Sequence, residues 1–149
     1  MISVHDYGQI EQIRNLWQEL MKSNIRTSVY FAEYFRTFQF ETRREFLEQK
    51  IREGAAVRIF TLNDDWHDGF CLISYHTIRS SADIEMIFVR EELRGQGHGT
   101  ALMNAAMDTL RQNGIRTIAV NVTHGNDGAI RFYEKYGFKP FSLEMLCLT

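Results

Sequence analysis

Val89-Arg90-Glu91-Glu92-Leu93-Arg94-Gly95-Gln96-Gly97-His98-Gly99-Thr100 carries an apolar strand through a glycine-rich turn straight into a helix. That order of elements suits an anion. Glycines at 95, 97 and 99 let backbone N–H groups approach a phosphate with no side chain in the way. The unpaired amides and positive dipole end of the helix that follows then attract its charge.

Two common phosphate loops can be tested against these residues, and both fail. A Walker A loop needs Gly-Lys followed by Ser or Thr, and no lysine stands here. A GxGxxG dinucleotide fingerprint needs glycine three residues after its second glycine. From Gly95 that position is Thr100, and from Gly97 it is Leu102.

Around the loop the chain reads as one soluble domain. Its 149 residues are enough to bury a core, and 44% hydrophobic with 24% charged residues is an ordinary globular balance. A formal charge of −2 favours no polyanionic partner. The basic residues Arg43, Arg44, Lys50 and Arg52 are interrupted by Glu41, Glu45, Glu48 and Glu53, which reads as a solvated helix face rather than a nucleic-acid stripe. Cys71 and Cys147 lie in apolar, strand-like surroundings without metal or redox spacing, so both are expected as buried, reduced thiols. With no apolar run of membrane-spanning length and no secretory pattern, a cytoplasmic protein is expected.

Periodicity supplies the remaining elements. Ile2 to Val4 reads as a strand, and Asp6 as the cap of a helix burying Ile10, Ile13, Trp17 and Leu20. Residues 22 to 40 are irregular and aromatic, with helix resuming in the thirties; a helix from Thr42 to Arg52 stops at Gly54. Ala55 to Leu62 and Phe70 to Ile78 form a hairpin with a long polar tip, and Asp83 to Val89 is the next strand. After the glycine loop come a helix to about Asn113, a strand from Ile115 to Val122, a helix from Asn126 to Tyr136 and a terminal strand.

Arg94-x-x-Gly97-x-Gly99 at a strand-to-helix junction resembles the signature of the GNAT superfamily of acyl-CoA-dependent N-acetyltransferases. The stretch Asn126-Asp127-Gly128-Ala129-Ile130-Arg131-Phe132-Tyr133-Glu134-Lys135-Tyr136-Gly137-Phe138 is similar to that family's Asn-x-x-Ala helix and its Tyr-x-x-x-Gly-Phe turn. The resemblance implies an α/β fold: a twisted mixed sheet flanked by helices, whose central parallel strands, Asp83–Val89 and Ile115–Val122, splay apart to admit acetyl-CoA. It further implies that Ile87, Phe88 and Val89 pair with the pantetheine arm, that Arg94, Gly95, Gln96, Gly97, His98, Gly99 and Thr100 hold the pyrophosphate, and that Asn126 contacts the pantetheine side. No metal is implied. The family often has proline and an aromatic residue before the loop; here Glu91, Glu92 and Leu93 stand there, and the two acids are expected to face solvent.

Acetyl transfer to an amine also needs proton management. A lysine-like amine with a pKa of about 10.4 is ammonium at neutral pH, and a thiol of about 8.5 leaves more easily beside an acid. Tyr133 occupies the family's tyrosine position, which makes it the candidate acid; on spacing alone it is one more member of the stripe Ala129, Phe132, Tyr133 and Tyr136. Glu85 sits in a strand resembling the Ile-Glu-Asp strand of polyamine-type acetyltransferases, where the glutamate takes the amine proton through water. Strand alternation puts it on the face of Asp83, the reserve base, and of Ile87. A surface position or a structural salt bridge is the competing reading of Glu85.

The acceptor, a small-molecule or peptide amine, is expected between the first helices, at residues 22 to 31, with Tyr75 and His124 nearby; the preferred reading of His124 itself is a loop residue without a catalytic role. Because members of the family are often dimers, the 30–40 segment and the terminal strand are the two candidate homodimer interfaces, and each reads equally well as core. The alternative to an enzyme is a non-catalytic acyl-CoA-binding sensor or partner module. A sensor has no use for both Glu85 and Tyr133.

Overall fold

The computed structural model describes residues 1–149. Its sheet has five strands in sequence order, β1 (Ile2–Asp6), β2 (Ala56–Leu62), β3 (Asp65–His76), β4 (Ser81–Val89) and β5 (Thr117–Val120). Neighbours are antiparallel except β4 and β5, which are parallel. The helices are α1 (Arg14–Thr27), α2 (Ala32–Phe35), α3 (Phe40–Arg52), α4 (His98–Gln112) and α5 (Asp127–Glu134). The expected mixed α/β fold is therefore present.

Each face of the sheet is covered by its own core. On one side Leu102, Met103, Ala106 and Leu110 of α4, with Tyr133 of α5, pack on Phe60, Cys71, Ile73 and Ile84. On the other Ile13, Leu16, Trp17 and Leu47 pack on Ile59, Phe70, Leu72, Met86 and Phe88. Central strands covered on both faces read as near-continuous apolar runs, as Phe70 to Ile73 does.

Several local expectations are corrected. The segment after Asp6 begins as a 3-10 turn, Tyr7–Ile13, with the Asp6 carboxylate accepting from the Gly8 N–H at 2.9 Å, and α1 continues to Thr27. The β2–β3 tip is short: Asn63 and Asp64 take positive φ of 53° and 58°, the type I′ geometry that matches sheet twist, so pairing resumes at Asp65. Beyond Phe138 no strand forms. Residues 139–149 carry no regular structure and every one of them is exposed, Cys147 included, so only Cys71 is a buried thiol.

One irregularity shapes the site. Leu72 of β3 pairs with Met86 while the next residue, Ile73, pairs with Ile84, so Glu85 is the extra residue of a β-bulge. The bulge shifts the alternation: Ile84 packs with the α4 core, whereas Met86 packs with the opposite one. Glu85 and Asp83 consequently face α3, while Ile87 packs on the α4 side, contrary to the simple alternation read from the sequence.

Candidate active site

The β4–β5 ladder covers only Ser81 to Ile84 against Thr117 to Val120, and β4 then runs on alone to Val89. The strands part there. A cleft of about 1230 Å³ opens between them, and Ile87, Phe88 and Val89 form one wall. Beyond Ile84 the β5-facing side of β4 has no strand beside it, which leaves backbone groups for an extended ligand arm.

At the end of β4 the chain turns through Gly95 and Gly97, whose φ values of 79° and 85° lie in the left-handed region. A methyl group built on either would meet only open space, so conformation and not crowding calls for glycine there. Gly97 precedes α4 without a side-chain cap. The first paired amide is that of Ala101, to the Gly97 carbonyl at 3.0 Å; His98, Gly99 and Thr100 keep N–H groups with no protein acceptor. This is an electropositive cradle of the right chemistry for a pyrophosphate. At Gly99 the close neighbour is Phe132 of α5, 3.7 Å from where a Cβ would stand.

Arg94 braces this loop. Its Nε donates to the Val89 carbonyl at 2.9 Å and its guanidinium lies 5.3 Å from the centre of the Phe88 ring, while no carboxylate neutralises it. Glu91 and Glu92 are exposed, as expected from the sequence. Asn126 has a structural duty as well: its Oδ1 accepts from the Ala129 N–H at 3.0 Å and caps α5, while its side-chain amide N–H groups make no hydrogen bond within the protein.

Tyr133 lines the cleft from the α4 side and is buried at the edge of that core. Its hydroxyl makes no hydrogen bond within the protein, yet no buried side-chain oxygen or nitrogen is unsatisfied, so the hydroxyl opens onto the cleft. Burial, and secondarily the nearby Cys71 thiol, push its pKa well above the ordinary tyrosine value. The phenol therefore keeps its proton throughout the neutral range.

Glu85 meets the cleft from the opposite face, with its side chain only 5% exposed. Arg43 Nη2 donates to its Oε1 at 2.7 Å, Ser74 Oγ donates to its Oε2 at 2.6 Å, and the Lys50 ammonium also lies on Oε2. Lys50 Nζ donates in addition to Asp83 Oδ2 at 3.1 Å. Arg43 and Lys50 are thus cleft residues, whereas the sequence reading placed them on a solvated face. What the spacing did offer was their separation of seven residues, two helical turns, which puts both on one side of α3.

The other end of the cleft is closed where the β5–α5 loop meets the end of α1. Thr123 Oγ1 donates to Asn24 Oδ1 at 3.3 Å, and the Val29 N–H donates to the His124 carbonyl at 3.4 Å. Ser23, Asn24 and Thr27, from the segment expected from the sequence to meet the acceptor, line the cleft. Tyr75 and His124 do not: Tyr75 is buried in the α4 core, and His124 stacks on Tyr30 at 5.9 Å. Cys71 is fully enclosed, and burial pushes its thiol up to about 12, which removes it as a thiolate nucleophile.

No cluster of metal-ligating side chains is present, and no helix is long and apolar enough to cross a membrane. The family model described as acetyltransferase (GNAT) family matches residues 10–138. An uncharacterized N-acetyltransferase of Methanocaldococcus jannaschii is 43% identical over 61 residues, which is 41% of this chain and 27% of that relative's length. A solved structure described as a putative acetyl transferase from Pyrococcus furiosus superposes with a TM-score of 0.67 over 100% of both chains, at 27% identity. The structure of AAC(6')-Iy in complex with the bisubstrate analog CoA-S-monomethyl-acetylneamine superposes with a TM-score of 0.65 over 100% of this chain and 98% of the other. Its 16% identity makes it a likeness of fold.

Proposed function

Since the chain belongs to the GNAT acetyltransferase family, we propose that residues 1–149 act as a single acetyl-CoA-dependent N-acetyltransferase domain, moving acetyl directly to a primary amine of a small molecule or peptide. The observation that carries this reading is the wedge between β4 and β5. It leads from the Tyr133 hydroxyl to the uncapped start of α4. The CoA analog named for AAC(6')-Iy, which shares the fold, supports the same ligand class.

Acetyl-CoA enters as substrate, its pyrophosphate on the 94–100 loop and its pantetheine arm along Ile87, Phe88 and Val89, with Asn126 alongside. Backbone N–H groups near Ile87 and Val89 polarise the thioester carbonyl. Glu85 takes a proton from the incoming ammonium, directly or through water, with Asp83 in reserve. The neutral amine attacks the carbonyl carbon, the C–S bond breaks, and Tyr133 protonates the departing sulfur. Lys50 supports the acceptor assignment, because its own primary ammonium already rests on Glu85 and Asp83. An enclosed, protonated Cys71 favours direct transfer over an acyl-enzyme.

One observation favours the second reading, a non-catalytic acyl-CoA-binding module: the Glu85 carboxylate already has Arg43, Lys50 and Ser74 as partners. An amine panel assayed by CoA thiol release separates the two. Release with at least one primary amine is expected. A protein whose melting temperature rises with acetyl-CoA, and not with ATP or NAD, yet which releases no thiol whichever amine is supplied, is the binding module instead.

A further inference from the structure

Arg43, Phe46 and Lys50 follow one another at helical spacing on α3, so one side of that helix carries all three. Phe46 is 47% exposed, with the Arg43 guanidinium 5.0 Å and the Lys50 ammonium 4.8 Å from its ring centre. It belongs to neither core, and it lines the cleft. Phe35 and Phe38, whose rings lie 5.1 Å apart, also stand outside both cores and line the cleft, Phe38 with 41% of its surface open. Leu20 and Met21 of α1 extend the same apolar wall. Aromatic surface that the fold leaves unburied, gathered inside a concave site, is surface for a ligand.

Lys50 displays what this wall can hold. Its primary ammonium rests on Glu85 and Asp83 and at the same time lies over the Phe46 ring, so carboxylates and an aromatic face meet at one place. The charges there suit one ammonium and no more. Asp83 and Glu85 are the only carboxylates on the cleft wall, which also carries Arg43, Lys50 and Arg94. Glu33 of α2 and Glu41 in the first turn of α3 are paired with Arg36 and Arg14 instead. A second ammonium on the same acceptor would meet Arg43 and the displaced Lys50 rather than an unpaired carboxylate.

We propose that the acceptor is a monoamine carrying an aromatic or bulky aliphatic group. Its ammonium takes the place of Lys50 on Glu85 and Asp83, and its apolar group packs on the wall formed by Phe46, Phe38 and Met21. This assignment rests on the transferase reading and narrows it, setting polyamines and aminoglycosides aside. Phe46 determines the specificity, because its ring borders the place the ammonium takes. The same chemistry comes from a free arylalkylamine or from a peptide N-terminus with an apolar first residue.

The test pairs two readouts. Titration calorimetry of amines into the protein saturated with CoA reads the acceptor pocket without turnover, and thiol release from acetyl-CoA reads the reaction. The probes are 2-phenylethylamine, ethylamine, spermidine and phenylalanyl-alanine amide. 2-Phenylethylamine is expected to bind about tenfold or more tighter than ethylamine or spermidine, and to lead in kcat/KM by a similar factor. Phe46→Ala, at a side chain outside both cores, should shrink the ratio of 2-phenylethylamine to ethylamine about tenfold at an unchanged melting temperature. Phe46→Leu, still apolar, should keep that ratio within about threefold of the parent's. A parent ratio near one, no binding of any probe, or spermidine bound as well as 2-phenylethylamine overturns the proposal, and continued thiol release then leaves the transferase standing. Selective binding with no thiol release from any amine sinks the transferase reading and supports the ligand class. A preference for the peptide amide assigns the pocket to peptide N-termini, and the reverse preference assigns it to free amines.

Discussion

The Arg43 guanidinium spans from α3 to the β4 bulge, where its Nη2 meets both the Glu85 carboxylate at 2.7 Å and the Glu85 backbone carbonyl at 3.3 Å. One side chain thereby fixes where the bulged residue points. Up to the bulge Glu85 keeps the alternation that turns it with Asp83 toward α3, past it Ile87 is turned to the α4 side, and Lys50 closes on the Glu85 carboxylate from two helical turns beyond Arg43.

On the proposed mechanism Lys50, already paired with Glu85 and Asp83, competes with the acceptor. If a substrate ammonium must take the place of the Lys50 ammonium on Glu85 and Asp83, then Lys50→Met lowers KM for the amine several-fold while kcat is kept. Glu85→Gln, which leaves the fold's hydrogen-bonding shape but removes the base, lowers kcat by about a hundredfold. Steady-state kinetics on both variants decide it. A Lys50→Met protein with unchanged amine KM, or a Glu85→Gln protein with full turnover, removes that carboxylate from proton transfer and leaves it the ion-pair role.

Tyr133→Phe deletes a hydroxyl that opens onto the cleft and has no partner in the protein, so the fold loses no hydrogen bond. Turnover is expected to drop by about a hundredfold with the affinity for CoA kept within about twofold. Because the phenol is held protonated far above neutrality, no alkaline fall in rate from loss of the Tyr133 proton is expected below pH 10. Equal turnover of the two proteins would assign the residue to the core alone.

The glycine loop, the order of strands and helices, and the α4 and α5 packing stripes were legible in the sequence, since each depends on local residue type or short-range periodicity. The local signals for the bulge were absent: Ile84-Glu85-Met86 reads as plain alternation, and only pairing against Leu72 and Ile73 reveals the extra residue. Arg43 and Lys50 were hidden for a related reason, because their charges look like those of a solvated helix until β4 brings Glu85 and Asp83 beneath them. The tail beyond Phe138 has the alternation of a strand and pairs with none in its own chain; pattern records the capacity for pairing and not the partner.

Gly125 gives a stability prediction independent of catalysis. It has a φ of 106°, and a Cβ there would stand 2.3 Å from the Thr27 carbonyl oxygen. Both the left-handed backbone and the contact with α1 exclude a side chain, so Gly125→Ala is expected to lower stability by about 2–4 kcal/mol. The displaced loop also carries Thr123, so the Thr123–Asn24 hydrogen bond should break with it. Urea unfolding within about 0.5 kcal/mol of the parent would mean that the loop and α1 part at little cost.

The last prediction concerns alkaline pH. Burial raises the Cys71 thiol from its ordinary 9.0 to about 12, and raises the Tyr133 phenol above its ordinary 10.0. Both groups bind protons more tightly folded than unfolded, so the unfolded chain releases them first as pH rises. Stability is therefore unaffected by them below about pH 8 and falls from pH 9 upward, toward the folded Cys71 value near 12. For Cys71 alone the loss reaches about 1 kcal/mol by pH 10. Urea unfolding of the parent and of Cys71→Ala between pH 7 and pH 10.5 isolates this contribution. The variant starts lower because a buried group is missing, yet its stability declines less steeply above pH 9. Parallel curves would show that the thiol ionises in the folded protein as it does in the unfolded chain, and that the core around Cys71 admits water.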